Sequence, residues 1–167
     1  YLPIDPEYPA ERMSYVLRDA TPTLVVTTRQ FEGVLPKGAA LVVLDDPARS
    51  ANTVNDAYLA GMEEVLDELA AARDGLRGVI VTSAKKTFFA GADLETLIRY
   101  GPDDAATVFA HVTRVKGQLR RLETLGLPVV AALTGTALGA GLEIALACHH
   151  RIAVDAPGVV FGLPEVT

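Results

Sequence analysis

Apolar residues along the chain follow two alternating rhythms. Over 9–20, Met13, Val16, Leu17 and Ala20 recur at helical spacing and Pro9 suits a first helical position, so a short helix is expected there. "TLVVTT" at 23–28 and "ALVVLDD" at 40–46 are rich in β-branched residues and bounded by Pro, Gly and Asp, which predicts two strands joined by a turn-rich connection over 31–38. Leu59, Met62, Leu66 and Leu69 mark one face of a helix over about 55–73, and "GVIVTS" at 78–83 predicts the next strand. After "AKKTFFAGAD", the spacing of Val108, Val112, Val115, Leu119 and Leu122 predicts a helix near 103–124. "LPVVAAL" at 127–133 then reads as a strand, a further helix opens within 135–150, and "RIAV" at 151–154 is another strand. Helices alternating with short, continuously apolar strands predict an α/β fold whose parallel sheet is covered on its faces.

Composition narrows what such a fold does. The 167 residues correspond to about one domain, and 50% are apolar, enough for a substantial core. A net charge of -6 and 15 scattered Lys and Arg offer no basic footprint, so no nucleic-acid partner is expected. Cys148 is the single cysteine, which excludes an intramolecular disulfide, and with three histidines it shows no zinc-ligand spacing; no metal is expected. The longest apolar stretches are too short to span a bilayer and no signal segment opens the chain, so no membrane partner and a cytoplasmic location are expected. The sequence opens on Tyr1 rather than Met and stops at Thr167, two residues past Pro164-Glu165, so a fragment of something longer is expected. One compositional seam, punctuated by Pro36, Gly38, Pro47 and Ser50, lies around 30–50.

The run "GTALGAGLEIALACHH" at 135–150 sets one carboxylate, Glu143, among apolar and small residues. Burying an ionised carboxylate is costly unless it is paired, so Glu143 needs a reason. A structural reason is that Gly139, Ala140 and Gly141 open a helix whose first turn favours an acidic residue. A chemical reason arises because sites in open α/β sheets form beyond the carboxyl ends of strands. Two such junctions here carry glycines, "VTSAKKTFFAGADL" and "AALTGTALGAGLE". Small residues there leave N–H groups free to aim at a ligand, and two converging on one carbonyl oxygen make an oxyanion hole. Spacing leaves that convergence open. Gly139, Gly141 and Ile144 do not complete a dinucleotide GxGxxG, and neither a P-loop nor a GxSxG elbow occurs. A second carboxylate, Glu165, follows "VVFGLP"; it is either a solvated loop residue or the partner of Glu143 in an acid/base pair.

"SAKKTFFAGADLETLI", "LETLGLPVVAALTGTALGAGLEIALACHHRIA" and "FGLPEVT", in this order, resemble the crotonase (enoyl-CoA hydratase/isomerase) superfamily, most closely the hydratase part of multifunctional fatty-acid-oxidation proteins. The resemblance covers about 40–167. It implies a crotonase-like spiral of parallel strands with covering helices, truncated at its carboxyl end, and hydration of a trans-2-enoyl-CoA. It assigns the oxyanion-hole N–H groups to Ala92, after Gly91, and to Ala140, between Gly139 and Gly141. Ala140 departs from the family's Gly-Gly-Gly turn, and a positive φ at that position would cost about a kcal/mol. The resemblance makes Glu143 and Glu165 the catalytic pair that holds water, with Glu165 protonating the α-carbon, and it places Glu143 in an apolar, water-excluding setting. It implies a coenzyme A thioester as substrate, no permanently bound cofactor, and a trimer-like homo-oligomer for an intact family member. Phe88, Phe89 and Leu97 line either an acyl pocket or, as expected here, the core. Lys85 and Lys86 either meet coenzyme A phosphates or are solvated, and Cys148, His149 and His150 are expected to cap or pack the helix end.

The amino-terminal part differs. "YLPIDPEYPAERMSYVLRDATPTLVVTT" resembles a fragment of the adenylation domains of non-ribosomal peptide synthetases, over about 1–35. It lacks that family's phosphate loop and later lysine, and no catalytic residue is carried over. The division expected is therefore 1–39, adenylation-like, and 40–167, an incomplete hydratase-like domain. Two readings stand: an enoyl-CoA hydratase region of a longer polypeptide, or a non-catalytic chimera that at most binds acyl-CoA.

Overall fold

The computed structural model describes residues 38–166 together with Pro9, Glu11, Arg12, Tyr15, Val16 and Asp19. Of the helix expected over 9–20, Glu11, Arg12, Tyr15, Val16 and Asp19 are helical. The strand expected at 23–28, and most of the adenylation-like stretch, lie outside the described residues.

Along the chain the elements are β1 (Ala39–Leu44), α1 (Asp56–Ala72), β2 (Gly78–Ser83), the single turn α2 (Leu94–Leu97), α3 (Ala105–Glu123), β3 (Val129–Leu133), β4 (Ala137–Leu138), α4 (Ala140–Ala147), β5 (His150–Ala153) and β6 (Phe161–Gly162). The main sheet has the order β1-β2-β3-β5 and is parallel throughout, with Leu41 opposite Ile80, Ile80 opposite Val130 and Val130 opposite His150. Alternate residues Val79, Val81, Val129, Ala131 and Leu133 join Leu66, Leu69, Leu122 and Ile144 of the helices in one core. The residues between them, Ile80, Val130 and Ala132, are buried as well. Burial of both faces is why the central strands read as unbroken apolar runs rather than as alternating ones.

The helix α1 starts where Asn55 accepts the Tyr58 N–H at 2.8 Å, and its amide donates to Asp46 Oδ2 at 2.8 Å. The Asn55 amide and the Ala48 N–H hold the half-buried Asp46 carboxyl below its ordinary range. In α3, Leu122 is buried and Val115 and Leu119 pack on the core, as their spacing predicts. Its amino-terminal half departs from expectation: Val112 is exposed, as are Phe109 and, beside it in sequence, Ile98 and Leu97.

A second, smaller sheet was not foreseen. β4 pairs parallel with β6, and two isolated parallel bridges, Val54 with Ala92 and Phe89 with Ala137, extend the pairing. Backbone bonds run from Val54 N to Gly91 O (2.9 Å), from Leu138 N to Phe89 O (3.1 Å) and from Gly139 N to Gly162 O (2.9 Å). Four short segments, at 52–54, 88–92, 136–139 and 160–162, thus lie side by side. Of these, only 160–162 reads as strand-like in the sequence, within "VVFGLP"; the others are too short to show a strand rhythm. Gly135 feeds this layer through a gap with no room for a side chain, since a Cβ there would lie 1.9 Å from Lys86 O.

At the end of α4, Cys148 is buried and its thiol donates to Ile144 O at 3.3 Å, so it packs the helix end as expected. His149 does not cap it: its Nδ1 accepts the Val129 N–H at 3.1 Å, and Arg151 instead donates to the Ala145 and Cys148 carbonyls. Burial pushes the Cys148 thiol up to about 12, against a smaller opposing pull from Arg151, and burial also raises the Tyr58 hydroxyl. A folded-state value above the unfolded one contributes stability that is full below the unfolded value and is lost as pH rises toward the folded one. The urea midpoint should therefore fall as pH climbs from about 9 toward 12, and Cys148→Ala with Tyr58→Phe should flatten that fall. An equally steep decline in the double variant would show that other groups control it.

Candidate functional site

In parallel sheets, ligands meet the chain beyond the carboxyl ends of strands, and the small second sheet brings three such ends together. The segment at 88–92 ends at Gly91 and Ala92, β4 leads into Gly139 and Ala140, and β6 leads through Leu163 to Glu165. Gly91, at φ +96°, packs against the neighbouring turn: a Cβ on it would lie 3.1 Å from Leu138 O and 3.8 Å from Gly139 Cα. Gly139, at φ +51°, packs against the third piece, because a Cβ on it would lie 3.1 Å from Glu165 Oε1. Gly141 seats α4 on the first piece, since a Cβ there would lie 2.5 Å from Phe89 O. The three glycines named from the sequence are thus the points where the segments touch.

The anticipated strain at Ala140 does not arise. The positive φ falls on Gly139, the residue before the helix, and Ala140 is the first residue of α4. An alanine is at ease there, and the first turn of a helix leaves its N–H groups without helical acceptors. Among the described residues, neither the Ala92 nor the Ala140 N–H donates to a protein acceptor. Ala92 is exposed and Ala140 half-buried.

Glu143 stands in the first turn of α4, where a negative charge complements the exposed N–H groups. The water-excluding setting expected for it is not found, because Glu143 is exposed. The physical reason is helical phase: Gly141, Ile144 and Ala145 take the buried side of α4, while Glu143 and Leu146 face outward. Glu165, in a 3₁₀ turn spanning Pro164–Val166, is also exposed.

Other expectations resolve one by one. Phe88 and Phe89 are fully buried and belong to the core, with Phe89 edge-on to Tyr58, whereas Leu97 is exposed and does not belong to the core. Lys85 pairs with Asp45 at 2.8 Å and is not simply solvated. A cavity of about 190 Å³ lies between β1 and α1, lined by Val42, Leu44, Tyr58, Met62 and Phe89. Among the described residues no cluster of His, Cys, Asp and Glu is arranged to hold a metal, and no helix is long and apolar enough to cross a membrane.

Three polar residues around the first loop escaped the sequence reading. Asp93, next to Ala92, is buried, accepts Glu95 N and Thr96 Oγ1, and pairs with both terminal nitrogens of Arg49 at 3.3 and 3.4 Å. Asp93 was visible as a helix cap before "LETL". Its partner Arg49 lies 44 residues away and carried no local signal. The third residue, Asn52, is buried at the junction of β1, β2 and the first loop.

A parallel-sheet α/β domain in which two glycine-bearing loops touch, one of them against the Glu165 carboxylate, has a crotonase-type fold. The enoyl-CoA hydratase/isomerase family profile matches residues 35–167, and the chain belongs to this family. It is 39% identical over 137 residues to the fatty acid oxidation complex subunit alpha of Shewanella loihica, covering 79% of this chain and 18% of that subunit. The corresponding subunit of Idiomarina loihiensis is 35% identical over 130 residues, again covering 18% of its length. Among solved structures, the enoyl-CoA hydratase of Bacillus anthracis superposes with a TM-score of 0.69 at 29% identity, over 87% of this chain and 52% of that one. The chain thus spans about half of that solved relative and under a fifth of the two curated ones.

Proposed function

We propose that this chain carries the site for hydration of trans-2-enoyl-CoA to 3-hydroxyacyl-CoA, a step of fatty acid β-oxidation. The observation that carries the reading is the contact of Gly91 with Leu138 and Gly139, and of Gly139 with the Glu165 carboxylate. It supports the reading because the Ala92 and Ala140 N–H groups and the Glu165 carboxylate then belong to touching segments at one sheet end. In this reading the Ala92 and Ala140 N–H groups receive the thioester oxygen, which gains charge as the double bond is attacked. A water held by Glu143 and Glu165 adds its hydroxyl to the β-carbon. Protonated Glu165 delivers its proton to the α-carbon, and the remaining proton of the water returns to the carboxylate pair, which ends as it began. Coenzyme A thioester is the substrate, and the chemistry needs no resident cofactor.

The division at residue 40, a cytoplasmic location and a homo-oligomer form part of the same proposal. The exposed Ile98 and Phe109 are apolar surface of the kind that association covers. The test is loss of the conjugated-thioester absorbance of crotonyl-CoA with the purified chain. Turnover supports the reading. A folded chain that does not hydrate crotonyl-CoA, whether or not it binds it, favours the alternative, a non-catalytic piece that at most binds acyl-CoA.

A further inference from the structure

The Ala92 N–H acts at a fixed point only if the segment that carries it is held, and most of what holds it is main chain that any sequence could supply. Two side chains are exceptions: Asp93, next to Ala92 and paired with Arg49, and Asn52, which reaches the main sheet. Asn52 is 3% exposed. Its Nδ2 donates its two hydrogens to Leu44 O at 2.9 Å and Ser83 Oγ at 3.0 Å, with a longer, shared approach to Phe88 O at 3.4 Å, while its Oδ1 accepts the Asp46 N–H at 2.9 Å. Its own carbonyl accepts the Ala90 N–H at 2.8 Å, two residues before Ala92. The carboxyl ends of β1 and β2 are therefore tied through one amide to the first strand of the small sheet. Ser83 continues the tie, because its hydroxyl donates to Thr87 O at 2.8 Å.

We propose that Asn52 is a positioning residue for the oxyanion hole: it registers the 88–92 segment against the main sheet and so sets where the Ala92 N–H points. This rests on the hydratase reading. An amide suits the position because it donates and accepts at once. Aspartate, of the same shape, would set an anionic oxygen against the carbonyls of Leu44 and Phe88, and alanine would leave both carbonyls and the Asp46 N–H without this partner.

The probe is a conjugated dienoyl-CoA, whose thioester absorption moves to longer wavelength when its carbonyl oxygen is polarised. With the unsubstituted chain a red shift is expected on binding. With Asn52→Ala it should fall by at least about half, with affinity changed by less than about threefold and kcat lowered roughly tenfold or more at similar KM. Leu69→Ala, which removes core packing on α1 away from the loop, serves as a destabilised control and should keep the shift. Retention of the shift in Asn52→Ala, or its equal loss in Leu69→Ala, would overturn the proposal while leaving the hydratase reading intact. Failure of the unsubstituted chain to bind, or binding without a red shift, would overturn both. Should Asn52→Ala not fold, Ser83→Ala decides the matter: a weakened shift supports the tie and a full one refutes it.

Discussion

Glu165→Gln leaves the chain folded and able to bind acyl-CoA, yet lowers hydration of crotonyl-CoA by a factor on the order of 10² to 10⁴. The amide keeps the shape and one acceptor oxygen of the carboxylate but cannot supply a proton to the α-carbon. Glu165 is exposed and packs against Gly139, which has no side chain, so an isosteric change there disturbs little beyond the chemistry. Glu143→Gln should act similarly, because an amide holds a water without taking up its proton. Stability should move by less than about 0.5 kcal/mol for Glu165, as for other exposed substitutions, and slightly more for Glu143, whose charge favours the start of α4. Initial rates with each variant, alongside thermal melts and a binding titration with a non-reacting acyl-CoA, separate the effects. Unchanged rates in both variants of an active chain would mean that the carboxylate assignment is wrong.

Gly135→Ala acts on the fold instead, with an expected loss of roughly 3 kcal/mol or more, at the upper end for overpacking. A Cβ at this position meets the carbonyl oxygen and carbon of Lys86 at 1.9 and 2.9 Å and Thr87 Cα at 3.1 Å. All three are backbone atoms, so no rotamer change relieves the overlap. Relief requires that β4 move away from the 88–92 segment, which loses the Phe88 and Phe89 bonds to Thr136 O and with them the alignment of the two loops. Gly61→Ala is the natural control, since a Cβ there has nothing within 4 Å and a helix interior prefers alanine. Denaturant midpoints for the two variants should move in opposite directions. Equal stability of Gly135→Ala and the parent chain would show that the two segments are not held together as described.

How much was legible follows from how local each signal was. The β2 strand at 78–83 and the α1 helix matched their patterns because each is decided by burial of its own side chains. The same logic failed for the first half of α3, where Val112 keeps helical spacing but finds no partner. The second sheet was illegible because its pairs, such as Phe89 with Ala137, join short segments 48 positions apart that carry Gly and Thr rather than a strand rhythm. Arg49, 44 positions from Asp93, was missed for the same reason. The glycines and glutamates were legible as residues, through family resemblance, but their contacts were not.

By itself, then, the sequence determined the α/β class, the main helices and strands, the family, and the residues Gly91, Ala92, Gly139, Ala140, Glu143 and Glu165 as the ones to examine. Periodicity and motif spacing are properties of neighbours along the chain, and they survive in one dimension. Only the tertiary structure decided that the positive φ belongs to Gly139 rather than Ala140, that Glu143 faces outward, and that Asn52 ties the first loop to the main sheet. Each of these depends on which backbone groups of distant segments come to share a hydrogen bond or a van der Waals contact, and that is fixed only when the sheets assemble.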